Sequence, residues 1–350
     1  MRHALGQGAE SRGDRGGSTI RTSLVAVLLL FLASVLLTAC ESPQPPLRVA
    51  TIQWIGYQPL HLARQLDYFP PNTVRLADFS SNTESLRAFR NRNVEVAALT
   101  LDEVLLLRDD GHDARVILIM DYSEGADAIV ARPEIETLAD LKGKRIGVES
   151  TAATAYLLAR ALEFGALTTD DVHIIKLAAG DQEAAYRENR VDAVATFEPL
   201  RTRLNRLGAH DLFDSRSIPG EIVDVLVTRG DIIDDTPERL EVLLESWFEA
   251  VRYANTRPGD TAARLAPRAS LSEAEFREAM GGMRFPSLAE NCRLLGADAA
   301  PMQEVATRLQ ALMVDTGLLD GNGSSGTLFD ARVLQRLGCN AQSPVAGDSQ

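Results

Sequence analysis

The sequence predicts an α/β protein of two lobes followed by a helical C-terminal third, and three observations carry that expectation. Short apolar runs of strand length alternate with amphipathic runs of helix length from residue 47 onward. The alternation pauses near residue 131 and restarts near residue 145. Beyond residue 227 the strand-like runs cease and helical periodicity takes over. Strands that read as continuous apolar runs are those buried on both faces, as in parallel sheets covered by helices.

The chain has 350 residues, 45% of them hydrophobic and 24% charged, enough for two domains with a sizeable core. Its 36 basic residues face 49 acidic ones, a net charge of −13. Phosphate binding needs a basic surface, so no nucleic-acid partner is expected.

At the N-terminus, Arg2, Arg12, Arg15 and Arg21 precede an apolar run over 24–37. The run is short for a bilayer span and matches the apolar region of a secretory signal. It ends in Leu37-Thr38-Ala39-Cys40, which resembles a bacterial lipobox. Residues 1–39 are therefore expected to be removed and Cys40 to carry lipid, with an uncleaved anchor as the alternative. Either way the rest of the chain faces away from the cytoplasm. Residues 40–46, rich in proline, read as a tether.

The body then reads in order. A strand over 47–53 leads to a helix over 58–69, and a strand over 74–79 to a helix over 82–92. Asn82 or Thr83 opens that second helix, with Glu84 in its first turn. A strand over 94–101 is followed by a helix to residue 108 capped by Asp102. Strands over 115–121 and 126–131 flank the first lobe junction. The pattern restarts with strand 145–149, helix 151–164, strand 172–177, helix 182–189, strand 191–197 and helix 200–207. After a strand over 222–227, helices are expected over 237–255, 272–280 and 301–316. Trp247, Phe248 and Tyr253 recur at helical spacing and read as core. A Gly-rich loop over 321–326 precedes the end, and 341–350 read as a frayed tail. One lobe would comprise 47–122 with 228–340 and the other 123–227, with crossovers near 122–127 and 219–224.

Ligands of α/β lobes sit at the carboxyl ends of strands, where helix N-termini present unpaired N–H groups. The residues at those places are Trp54, Gly56, Tyr57, Asn82, Thr100, Asp102, Asp121, Tyr122, Ser123, Asp127, Glu149, Thr151, Ala152, Phe197, Glu198 and Asp224. Trp54 and Tyr57 read either as an aromatic wall, with Gly56 allowing close backbone approach, or as core under the first helix. Thr100 and Asp102 read as ligand partners, or Asp102 as a plain helix cap. Thr151 and Ala152 open a helix whose N–H groups suit an anion or carbonyl, or serve capping alone. Glu221 and Asp224 read as carboxylates at the return crossover or as surface charge.

No HExxH, CxxC, GxSxG or P-loop motif occurs, so neither a metal, a cofactor nor an enzymatic activity is expected. Carboxylate pairs such as Asp121/Asp127 arise by chance among 49 acidic residues. Cys292 and Cys339 read either as one disulfide closing a loop of about 46 residues or as two buried thiols. Asp102, Asp121, Asp127, Glu149, Glu198, Glu221 and Asp224 are acidic, while none of the strand-end positions is Arg or Lys. That charge balance predicts a ligand of amine, amidine or amino-heterocycle character.

Several segments resemble the nitrate/sulfonate/taurine group of ABC-transporter substrate-binding proteins, whose wider relatives bind thiamine precursors. They are Trp54-x-Gly56-Tyr57-x-Pro59-Leu60, residues 99–103, Gly125-Ala126-Asp127-Ala128, residues 140–148, residues 191–194, Phe197-Glu198-Pro199 and residues 218–227. The resemblance runs in order over about 47–260. It implies a type II periplasmic-binding-protein fold that closes about a hinge on a small molecule and works as a monomer. It also implies delivery to an ABC permease with its ATPase, with a ligand-sensing adaptor as a variant. The group's anionic ligands stand as the alternative to the amine class.

Overall fold

Two mixed sheets organise the protein in a computed structural model that describes residues 45–149, 153–297, 299–315, 317–321 and 326–339. Cys40, Thr151, Ala152, most of the Gly-rich loop and the expected tail lie outside the described residues. The described residues from Pro46 onward belong to one compact unit.

The strands in chain order are β1 (Leu47–Thr51), β2 (Val74–Asp78), β3 (Val96–Thr100), β4 (Arg115–Ser123), β5 (Asp127–Ala131) and β6 (Arg145–Val148). They continue with β7 (His173–Lys176), β8 (Ala193–Phe197), β9 (His210–Asp214), β10 (Val223–Thr228) and β11 (Met283–Arg284). The first sheet has the order β11-β4-β10-β3-β1-β2 and the second β7-β6-β8-β5-β9. The chain passes from the first to the second over residues 124–126 and returns over 215–222.

The sheets are not wholly parallel as expected. β1 runs parallel to β2 and β3, and β6 parallel to β7 and β8. β10 is antiparallel to both β3 and β4, and β5 to both β8 and β9. A chain that leaves one sheet and comes back enters each time from the opposite end, which reverses those strands. Two further strands escape the alternation signal. β9 is an edge strand with the polar sequence His210-Asp211-Leu212-Phe213-Asp214, and charge on an edge hides its strand character. β11 has two residues and pairs with β4.

The helices of the alternating part are α1 (Gln58–Gln65), α2 (Asn82–Arg90), α3 (Leu101–Asp109), α4 (Ala153–Phe164), α5 (Gln182–Arg187) and α6 (Leu200–Arg206). Three of them stop short of the expected ends because Asp67, Arg92 and Asn189 adopt left-handed backbone with φ of 56°, 57° and 58°. The C-terminal helices are α7 (Gly230–Asp235), α8 (Pro237–Thr256), α9 (Pro258–Ala269), α10 (Glu273–Gly281), α11 (Leu288–Cys292), α12 (Ala300–Asp315) and α13 (Arg332–Leu334). No helix among the described residues is long and apolar enough to cross a membrane.

β3, β5, β8 and β10 are buried along their whole length, so their apolar runs are core on both faces. Trp247 of α8 is wholly buried, and Phe248 and Tyr253 pack half-buried beside the same core. The C-terminal segment is fastened twice to this body. Val116 N–H donates to Leu328 O at 2.8 Å, and Asp330 N–H to Val116 O at 2.9 Å. Cys292 and Cys339 form a disulfide, with Cα atoms 5.4 Å apart, which settles the choice left open above.

The two crossovers touch. Ser123 and Ser215 hydroxyls are 2.8 Å apart, and the N–H groups of Gly125 and Asp127 donate to Ser215 Oγ and Ser123 Oγ at 2.7 and 3.0 Å. Gly125 makes the turn with a φ of 119°, which L side chains rarely adopt.

Candidate functional site

Register aligns the polar residues. In the first sheet Asp224 lies opposite Thr100 of β3 on one side and opposite Asp121 of β4 on the other. In the second sheet Asp127, the first residue of β5, lies opposite Phe197, the last of β8. Both rows sit where the chain crosses between sheets, so a cavity between them draws on the ends of several strands.

That cavity is tight, with a volume of about 20 Å³, little more than one water needs. It is lined by Ile52, Trp54, Tyr57, Asn82, Thr100, Asp127, Ala153, Thr154, Phe197 and Asp224. The Trp54 and Phe197 rings meet edge to face, 5.6 Å between centres and 81° between planes, so one wall joins residues of the two sheets. Trp54 is therefore both core and cavity wall. Gly56 sits behind it, and a Cβ there would lie 2.2 Å from Asp121 Oδ2 and 2.4 Å from Trp54 Nε1.

Of the expected site residues, Trp54, Tyr57, Asn82, Thr100, Asp127, Phe197 and Asp224 line this cavity. Asp121 and Gly56 stand in the layer behind. Ser123 is taken up by the crossover contact. Tyr122 turns to the opposite side, where its hydroxyl donates to Met302 Sδ at 3.2 Å and the Arg284 guanidinium covers its ring at 4.1 Å. Glu149 reaches across to α2, accepting from Thr83 Oγ1 at 3.4 Å. Glu198 accepts from Thr202 Oγ1 at 2.9 Å and lies 3.8 Å from Arg201. Asp102 lines a separate, apolar cavity with Leu106, Val148 and Tyr156. Nor does it cap α3, because Thr100 is the residue before the first turn and its N–H donates to Glu103 Oε2 at 3.1 Å. Glu221 lies on the return crossover and accepts from Tyr156 Oη at 2.5 Å and Arg160 Nε at 3.0 Å, so it is not free surface charge, and it lines a separate pocket with Val305 and Leu309.

Ile52, Ala153 and Thr154 line the cavity without having been expected there. An apolar strand end and an alanine carry no chemical signal, and only the N-terminal position of Ala153 and Thr154 on α4 was available as a clue.

The electrostatics are one-sided. Asp121 is fully buried and neither of its oxygens receives an N–H or O–H among the described residues. The Trp54 indole N–H points toward it but falls short of hydrogen-bond geometry. Burial pushes Asp121 up to about 8 and Asp127 up to about 7. Asp224 is driven well above the usual carboxylate range, first by burial and then by the charge of Asp121. Tyr57 Oη donates to Asp224 Oδ1 at 2.5 Å, and burial beside that carboxylate pushes the phenol far up as well. Burial also raises Glu149 and Glu198. The lining holds no Arg, Lys or His. Carboxylates withdrawn from water without partners cost several kcal/mol each, so the arrangement is stabilised by whatever brings positive charge or N–H donors into the cavity.

A family model described as the NMT1-like family matches residues 41–270. A putative binding protein of Brucella abortus (strain 2308) is 26% identical over 141 residues, covering 38% of this chain. That match spans 43% of the relative's own length. Among solved structures, the alkanesulfonate-binding protein SsuA from Xanthomonas axonopodis pv. citri, bound to MOPS, superposes with a TM-score of 0.68 at 18% identity. The superposition covers 80% of this chain and 96% of that one. The ligand-binding component of an ABC-type import system from Staphylococcus aureus, with zinc bound, gives a TM-score of 0.70 at 12% identity, over 83% and 98% of the two chains. These likenesses establish the periplasmic-binding-protein fold.

Proposed function

The chain belongs to the NMT1-like family, and from that premise we propose that it is an extracytoplasmic substrate-binding protein. It captures a small ligand of amine, amidine or amino-heterocycle character between two lobes and delivers it to an ABC permease. The lobes are the two sheets with their helices, with β10 (Val223–Thr228) in the first sheet and not in the second as a boundary at 227 had it, and they close about the paired crossovers. The names of the solved relatives support the binding role. What carries the ligand class is the pair of cavity-lining aspartates, Asp127 and Asp224, both almost fully buried and facing no cationic lining residue. Trp54 and Phe197 add aromatic surface on which a flat cation stacks.

A calorimetric screen of amines, amidines and aminopyrimidines against taurine, alkanesulfonates and nitrate tests this. Asp224→Asn and Asp127→Asn should each weaken the bound amine at least about ten-fold, equivalent to about 1.4 kcal/mol. Micromolar binding of taurine or an alkanesulfonate, unchanged in both variants, would defeat the amine reading. That second reading has one observation in its favour: Ala153 and Thr154 bring the N-terminus of α4, a natural anion site, to the cavity.

In the same reading Cys40 carries the lipid that holds the protein at the membrane. Wild type should enter the detergent phase on phase separation and Cys40→Ser should remain in the aqueous phase. Equal partitioning of both would exclude the anchor.

A further inference from the structure

We propose that Asp121 and Asp224 together hold one proton while the cavity is empty and release it to solvent when a cationic group binds against Asp224. Ligand capture is then an exchange of one proton for one cation. This rests on the cationic reading of the cavity and adds a stoichiometry to it.

The geometry carries the argument. The two side chains are cross-strand neighbours on β4 and β10, and both residues are essentially closed to solvent. Asp121 receives no N–H or O–H donor on either oxygen among the described residues. Its polar neighbours are the Asp224 carboxyl and the Trp54 indole N–H, which falls short of hydrogen-bond geometry. Ionised carboxylates only accept hydrogen bonds, so the contact between the two carboxyls is favourable only when a proton sits between them. Two like charges in such a place cannot both persist.

The surroundings reinforce the proton. From the segment before α1, Tyr57 donates its hydroxyl to Asp224 and Trp54 turns its indole N–H toward Asp121. From β5, Asp127 adds a further carboxyl, and from α3 Glu103 another that acts on Tyr57. Arg201 acts on Asp127, and its own N–H groups are held by Asp211 and the Gly125 carbonyl. One proton shared by the pair, with Tyr57 bonded to the ionised oxygen, satisfies the empty site. A bound cation supplies the missing positive charge, the pair becomes dianionic, and the proton passes to water.

Infrared spectroscopy of the ligand-free full chain at neutral pH reads the proton directly. A carbonyl band of buried carboxylic acid is expected in wild type and is expected to be weaker in Asp121→Asn by the share of the Asp121–Asp224 pair, with Asp127 contributing in both. No band in wild type, or an equal band in the variant, overturns the proposal. Should Asp121→Asn not fold, Tyr57→Phe serves instead: it removes the donor that favours ionisation, so the band should titrate at higher pH. An unmoved midpoint overturns the proposal too.

Calorimetry with methylguanidinium and benzamidinium in phosphate and Tris buffers reads the exchange. The two heats should differ by the buffer ionisation of about one proton per cation bound. Equal heats with binding overturn the exchange and leave the cationic cavity standing. Failure of both cations and of every amine in the wider screen to bind defeats the cavity reading, while the infrared result still decides whether the pair holds a proton.

Discussion

Replacing both Cys292 and Cys339 by serine should lower the unfolding free energy by about 4 kcal/mol. The two residues are 47 apart in sequence, and closing a loop of that length removes a large share of the unfolded chain's freedom. The bridge links the end of α11 to the last described residue of the chain. Between them lie α12 and the segment that docks on Val116 of β4, with Val333 and Leu334 fully buried. The loss should therefore be shared between the unfolded state and the docking of this segment. Urea unfolding of the oxidised wild type and of the double variant measures it. A lower midpoint with a steeper dependence on urea is expected, because the unbridged chain exposes more surface on unfolding. Coincident curves would show that the bridge contributes nothing.

Gly56→Ala should cost about 1–3 kcal/mol of stability and at least ten-fold in ligand affinity. The added Cβ would lie 2.2 Å from Asp121 Oδ2, 2.7 Å from Asp121 Cγ and 2.4 Å from Trp54 Nε1. All three atoms belong to buried side chains, so neither can swing into solvent. The clash is relieved by moving the Trp54 ring off Phe197 and into the cavity, or by pressing Asp121 against Asp224. Gly259→Ala is the control: a Cβ there has no atom within 4 Å, and the residue sits in the first turn of α9. It should leave both stability and binding nearly unchanged. An equally mild Gly56→Ala in thermal unfolding and calorimetry would mean that the site is loosely packed.

Much of this protein is legible in its sequence, and the reasons are local. Alternating apolar and amphipathic runs reflect what each segment must bury, so β1 to β8 and the main helices emerge at nearly their true places. The acidic residues at strand ends are visible because strand ends are marked by where apolar runs stop. Trp54, Tyr57, Asn82, Thr100, Asp127, Phe197 and Asp224 were found on that ground.

The sequence by itself determined which segments are core, which ends carry polar groups, and that those positions hold acidic residues and no Arg or Lys; that Arg201 and Arg160 reach Glu198 and Glu221 is decided by the fold. It could not decide direction or distance. That β5 and β10 run against their neighbours follows from where the chain re-enters each sheet, a property of the whole path. Asp102 and Asp127 look alike as acidic residues at strand boundaries, yet Asp127 faces the cavity and Asp102 an apolar groove, because α3 is capped by Thr100, two residues before the expected cap. Cys292 and Cys339 pair only because the last segment folds back along β4. Asp121 and Asp224, 103 positions apart, share a buried row only through the pairing of β4 with β10. Burial and proximity set their protonation, and both are created by tertiary structure alone.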